Sequence, residues 1–138
     1  MSYYVDTNIF LNVIYKEPAS REGSARFLRD IQDGKHWALT SSVTLLEAII
    51  DMAESGFAEL TETASASIED MRNLKIAALD KTMAKLAASY VIRDNLTVHD
   101  AYHLATALCR KAEAFVTRDG DLKKIISKYI KVTTPEEV

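Results

Sequence analysis

Four acids carry the chemistry that this sequence could perform. Asp6 closes a run of aromatic and β-branched residues, Tyr3-Tyr4-Val5, and is followed by Thr7-Asn8 and the apolar Ile9-Phe10-Leu11. Glu47 stands among Leu45, Leu46, Ala48, Ile49 and Ile50, surroundings unlike those of an idle surface charge. Asp100 falls in the first turn of a helix opened by Thr97, in a capping-box pattern. Asp119 ends Phe115-Val116-Thr117-Arg118 and begins Asp119-Gly120-Asp121. Each has a plain structural reading: a helix cap for Asp6, the acidic partner of Thr97 for Asp100, turn chemistry for Asp119, a surface charge for Glu47. Brought together, the four cannot all stay ionised without a counter-charge. A hard divalent cation supplies one, and oxygen ligands without a Cys or His cluster favour magnesium or manganese over zinc. One such ion, or a pair, activates water and offsets the charge that builds on a phosphate in transfer. The expected chemistry is hydrolysis of a phosphodiester by water, with no covalent enzyme intermediate.

Strands alternating with helices must position these groups. The pattern predicts strands at Tyr3–Val5, His36–Thr40, Leu74–Leu79, Ala114–Thr117 and Ile130–Thr133. Between them it predicts helices over Thr7–Tyr15, Ser20–Asp33 with Gly34 as the stop, Val43–Ser55 closed by Gly56, and Phe57–Arg72. Further helices are expected from Asp80 to Asn95, from Thr97 through the stripe Ala101, Leu104, Ala105, Leu108 and Ala112, and over Leu122–Lys128. Pro135-Glu136-Glu137 reads as a tail. This order implies an α/β fold: a mostly parallel sheet with right-handed crossovers and helices on both faces. In such a sheet ligands bind beyond the carboxyl ends of the strands, where the strand order reverses. Asp6 and Asp119 would face each other there.

The 138 residues are expected to form a single domain, residues 1–138. Apolar and charged fractions of 48% and 27% are those of an ordinary globule and suggest neither disorder nor a membrane class. No spanning helix and no leader peptide are expected, and the single Cys109 fits a reducing compartment, hence a cytoplasmic location. The net charge of -3 stands against a simple polyanion binder. The charge is nonetheless asymmetric. From Trp37 to Met71 there is no Lys or Arg but seven acids, while Arg21, Arg26 and Arg29 gather on one helix. Solvated helix faces explain most of these charges.

Taken in order, Val5-Asp6-Thr7-Asn8, Thr44-Leu45-Leu46-Glu47, Asp100-Ala101-Tyr102-His103-Leu104-Ala105-Thr106-Ala107-Leu108 and Phe115-Val116-Thr117-Arg118-Asp119-Gly120-Asp121-Leu122 resemble a PIN domain, and most of all the VapC-type toxin ribonucleases. The resemblance implies a three-layer α/β/α fold whose five-stranded parallel sheet has the order 3-2-1-4-5. It implies endonucleolytic RNA cleavage dependent on Mg2+ or Mn2+, a homodimer, and silencing by a small antitoxin whose C-terminal segment wraps the toxin. By matching position, Asp6, Glu47, Asp100 and Asp119 form the catalytic and metal-holding set. Thr7, Asn8 and Thr117 resemble supporting positions, and Asp121 is a candidate fifth acid. Arg118 is a candidate phosphate contact. His103 is read as a helix-face residue rather than a metal ligand, and His99 as a surface residue. Leu11, Ile14 and Tyr15 fit a dimer face and core packing equally well.

Other classes fit less well. A phosphoacceptor receiver wants two adjacent acids after its first strand and a Lys after its last, whereas Asp6 stands alone and Lys131 lies within the last strand. A phosphatase with an Asp nucleophile wants a second acid where Asn8 stands. Two alternatives remain within the resemblance: an RNA-processing nuclease without an antitoxin, and a non-catalytic module that binds RNA or a partner.

Overall fold

The computed structural model describes residues 2–138. Five parallel strands, β1 (Ser2–Val5), β2 (Trp37–Ser41), β3 (Leu74–Ala77), β4 (Ala114–Val116) and β5 (Lys131–Thr133), form one sheet in the order β3-β2-β1-β4-β5. The chain steps outward from β1 through β2 to β3 and then crosses back to β4 on the other side of β1. The order therefore reverses between β1 and β4, and the Asp6 amide, donating to Val116 O at 3.0 Å, extends that pairing to the switch point.

Alternation along the strands builds a core on each face of the sheet. Tyr3 and Val5 of β1, with Ala114 and Val116 of β4, pack with Phe10 of α1 (Thr7–Ile14), Phe27, Leu28 and Ile31 of α2 (Arg21–Gln32) and Ile68 of α4 (Thr61–Glu69). Tyr4 and Phe115 point the other way, onto α5 (Lys81–Asp94), α6 (Val98–Cys109) and α7 (Gly120–Ile126). The remaining helix, α3 (Ser42–Glu54), follows β2 and buries Val43, Thr44, Ala48 and Met52.

Short polar side chains start the helices at the carboxyl end of the sheet. Asp6 accepts from the Thr7 amide, Ser41 from Val43, Thr97 from Asp100, and Asp119 from both Asp121 and Leu122. Asn95, with φ of 56°, ends α5 in the left-handed conformation that Asn tolerates.

Three expectations need correction. The helix expected over Ser20–Asp33 runs from Arg21 to Gln32, and Ser20 just before it makes no capping bond. The helix expected over Phe57–Arg72 is a 3-10 turn, Ala58–Leu60, followed by the shorter α4. Thr61, Ser65 and Ser67 bond back to backbone carbonyls there, which weakens a helix already poor in apolar pattern. The supposed tail is an ordered 3-10 turn, Pro135–Glu137, with a Thr134–Glu137 capping box and a buried Pro135.

Candidate active site

The carboxyl ends of β1 and β4 open into a cleft of about 340 Å³, lined by Asp6, Glu47, Asp100 and Asp119 together with Thr7 and Asn8. The four acids thus meet at one end of the sheet although 113 positions separate Asp6 from Asp119. A larger surface depression, about 810 Å³, lies over α4, and none of its lining residues is buried.

Asp6 is fixed on every side. Its Oδ1 accepts from the Thr7 amide at 2.8 Å, and its Oδ2 accepts from Thr117 Oγ1 at 2.7 Å and Asn8 Nδ2 at 3.4 Å. Thr117 also accepts from Asn8 Nδ2 at 3.2 Å and from the Asp119 amide at 3.1 Å. Glu47 reaches in from α3; its Oε1 accepts from Thr7 Oγ1 at 2.8 Å and from His103 Nε2. Thr7, Asn8 and Thr117 thus each donate to a carboxylate of the cleft.

The electrostatics follow from burial and crowding. Burial, with the charge of Glu47 adding to it, pushes the Asp6 carboxyl above the usual range despite His103, Thr117 and Thr7. Burial and then the Asp6 charge raise Asp100 as well. Burial pushes Glu47 in the same direction, but the His103 hydrogen bond and charge, with Thr7 and His99, outweigh it and leave Glu47 lowered. Burial pushes the His103 imidazole down; the Glu47 bond and the charges of Asp6, Glu47 and Asp100 turn it upward.

His103 was read as a helix-face residue and is instead wholly buried behind the cleft wall, where its Nε2 bonds to Glu47. Its Nδ1 lies 2.5 Å from Tyr4 Oη and its Nε2 lies 3.7 Å from Asp6 Oδ1. His99 lines the rim, with Nδ1 3.6 Å from Glu47 Oε2. It stands four residues before His103, so both imidazoles turn to Glu47 from one face of α6. That spacing was the available signal. Asp51 and Glu54 line the cleft too, at positions four and seven beyond Glu47 on α3. Their spacing also marks a shared face.

Two expected contributors lie elsewhere. Asp121 is exposed at the start of α7, outside the residues that line the cleft. Arg118 does not present its guanidinium as a phosphate contact. It makes a two-point pair with Glu136, at 2.9 and 2.6 Å, and donates further to Asn12 Oδ1, Ser24 Oγ and Ser20 O. A planar fork matched to a carboxylate and buttressed by three more acceptors is committed to structure.

The donor set suits a hard cation in type: carboxylate oxygens with hydroxyl support, two of the acids raised by burial and mutual charge. Among the described residues no three His, Cys, Asp or Glu side chains are already gathered around one ion-sized point. Asp6 and the inner oxygen of Glu47 are held by protein donors, while Asp119 spends Oδ1 on the start of α7. The second oxygens of Glu47 and Asp119 and the Asp100 carboxylate are the least committed donors in the cleft, and Asp6 Oδ1, which accepts only from the Thr7 amide, keeps a lone pair for it.

Residues 3–127 match the family model described as "PIN domain". The chain belongs to the PIN domain family. The PIN fold is shared with VapC20 of Mycobacterium tuberculosis, a sarcin-ricin loop cleaving toxin, at TM-score 0.74 and 15% identity over 88% of this chain and 93% of that one. VapBC2 of Rickettsia felis, solved bound to a DNA fragment from its promoter, matches at TM-score 0.72 and 18% identity over 97% and 98%. A toxin–antitoxin complex from Klebsiella pneumoniae matches at TM-score 0.68 and 21% identity over 99% of each chain. No curated protein sequence matches. Among the described residues of this PIN domain no helix is long and apolar enough to cross a membrane.

Proposed function

We propose that this PIN domain is an endoribonuclease that hydrolyses RNA phosphodiester bonds with Mg2+ or Mn2+, and that it is the toxin of a toxin–antitoxin pair. The observation that carries the reading is the meeting of Asp6, Glu47, Asp100 and Asp119, from four separate segments, in one cleft at the switch point. An anionic cup repels an RNA phosphate, so a phosphate enters it only with a cation between them. A divalent cation there would supply that neutralisation and make water acidic enough to attack phosphorus.

The chain's own residues do the rest. Thr117, Asn8 and the Thr7 amide hold Asp6, the most enclosed of the four acids. Glu47 closes the side of the cleft toward α3, and Asp100 and Asp119 stand at the mouth, where substrate and solvent meet the site. The toxin reading is supported by structural neighbours described as toxins or toxin–antitoxin complexes. A cognate antitoxin, a homodimer and a cytoplasmic location belong to the same proposal.

Expression with and without a neighbouring antitoxin gene, followed by mapping of cleaved cellular RNA, tests it. Growth arrest and cleavage that need Mg2+ or Mn2+, stop in chelator and vanish with Asp6→Asn are expected. Undiminished cleavage by a folded Asp6→Asn variant overturns the catalytic assignment. Cleavage without growth arrest retains the nuclease and overturns the toxin.

A further inference from the structure

His103 is a buried, chemically capable side chain that lies behind the cleft and bonds to one of its acids, Glu47, and the acid set by itself does not explain it. It is 0% exposed on α6, whose other buried positions are Ala101, Leu104, Ala105, Thr106 and Ala107. An imidazole enclosed among such residues is costly unless both ring nitrogens are bonded. Both are. Nε2 meets Glu47 Oε1, and Nδ1 meets Tyr4 Oη at 2.5 Å. A carboxylate only accepts, so Nε2 carries the hydrogen and donates it to Glu47.

The relay links three elements. Tyr4 is in β1, two residues before Asp6; His103 is in α6; Glu47 is in α3. Glu47 side chains are long and lose rotamer freedom when ordered. Here the inner oxygen, Oε1, is taken by His103 and Thr7, and the other, Oε2, lies 3.6 Å from His99 at the exposed rim. We propose that His103, buttressed by Tyr4, is a positioning residue that pins one oxygen of Glu47 and thereby presents the other to a divalent cation in the cleft. The inference rests on the cation reading above and adds to it the device that orders one ligand. Groups that orient a ligand from behind are typically worth about 10- to 100-fold in metal affinity.

The test compares wild type with His103→Gln and His103→Asn. The Gln amide extends to where Nε2 lies and reaches Glu47. The Asn amide sits nearer Nδ1, keeps Tyr4 and falls short of Glu47. Mn2+ alone is the probe, its binding followed by electron paramagnetic resonance of the free ion, and 15N resonance of the metal-free protein reports the His103 tautomer. Expected are an Nε2-protonated ring in wild type, Mn2+ affinity about tenfold weaker in His103→Asn, and recovery of most of that loss in His103→Gln. Equal affinities in wild type and His103→Asn, or a ring protonated at Nδ1 alone, overturn the positioning role while leaving the cation reading intact. A wild type that binds no Mn2+ overturns both.

Discussion

Thr117 Oγ1 donates to Asp6 Oδ2 at 2.7 Å across the β1–β4 junction, joining residues 111 positions apart. The hydroxyl has one hydrogen and spends it on the acid, and its lone pairs accept from Asn8 Nδ2 and the Asp119 amide. Thr117 thus couples two acids of the cleft, Asp6 through its side chain and Asp119 through its backbone. Thr117→Val preserves shape and removes all three bonds. A buried bond to a charged group is worth roughly 1.5–3 kcal/mol, and an outer support of a metal ligand about tenfold or more in affinity. The expected result is a lower denaturation midpoint together with weaker Mn2+ binding. A stability loss with unchanged Mn2+ affinity would make Thr117 a packing residue only.

Asp100 predicts a crossing of stabilities. Its carboxyl is raised first by burial and then by the Asp6 charge, so its ionised form is unwelcome in the metal-free protein. Asp100→Asn relieves that repulsion and should melt higher than wild type in chelator. Saturating Mn2+ should reverse the order, because a ligand at 100 times its Kd stabilises by about 2.7 kcal/mol and the variant binds it less well. Thermal denaturation of both proteins, with chelator and with Mn2+, reads this directly. Equal gains on adding Mn2+ would remove Asp100 from the ligand set.

The acids could be picked out of the sequence because three sit at boundaries that local pattern marks, while Glu47, inside α3, stands out against its apolar neighbours. Asp6 and Asp119 end apolar runs and start helices, Asp100 follows a cap, and Glu47 interrupts an apolar stretch. Alternating strands and helices implied a parallel sheet, but the order 3-2-1-4-5 came with the family resemblance, since local pattern says nothing about which strands are neighbours. His103 escaped because the stripe Ala101, Leu104, Ala105 and Leu108 had already defined the inward face of α6, whereas that helix buries His103 and Ala107 as well. Arg118 was misread for a different reason. Its partner, Glu136, lies in a charged segment that looks like a tail, and only the folded chain brings the turn at Pro135–Glu137 against α2.

That pairing gives a pH dependence. The Arg118 guanidinium, by its hydrogen bonds, holds the Glu136 carboxyl below the ordinary glutamate value of 4.5. A carboxyl lowered on folding adds stability above its unfolded pKa and loses it as pH falls through the folded one. Wild type should therefore exceed Glu136→Gln in urea midpoint at neutral pH, and the gap should close in acid, below about pH 4.5. The Glu136 side chain is 44% exposed, so solvent screening keeps the effect to about 1 kcal/mol or less. A gap that persists unchanged below pH 3 would mean that shape, not charge, distinguishes the two side chains.

The same contact leaves room for nothing but hydrogen at Gly23. A Cβ built there would lie 2.0 Å from Glu136 Oε1 and 2.7 Å from its Cδ. Gly23 lies in the first turns of α2, where Ala would favour the helix by up to about 1 kcal/mol. Two effects of opposite sign therefore compete in Gly23→Ala: the gain in helix propensity and the displacement of Glu136 from Arg118. With Glu136 present they should nearly cancel. In a Glu136→Ala background only the first survives, and Gly23→Ala should stabilise. A double-mutant cycle isolates the difference as the coupling between positions 23 and 136. Additive effects, with Gly23→Ala equally stabilising in both backgrounds, would show that Glu136 does not rest on Gly23 in solution.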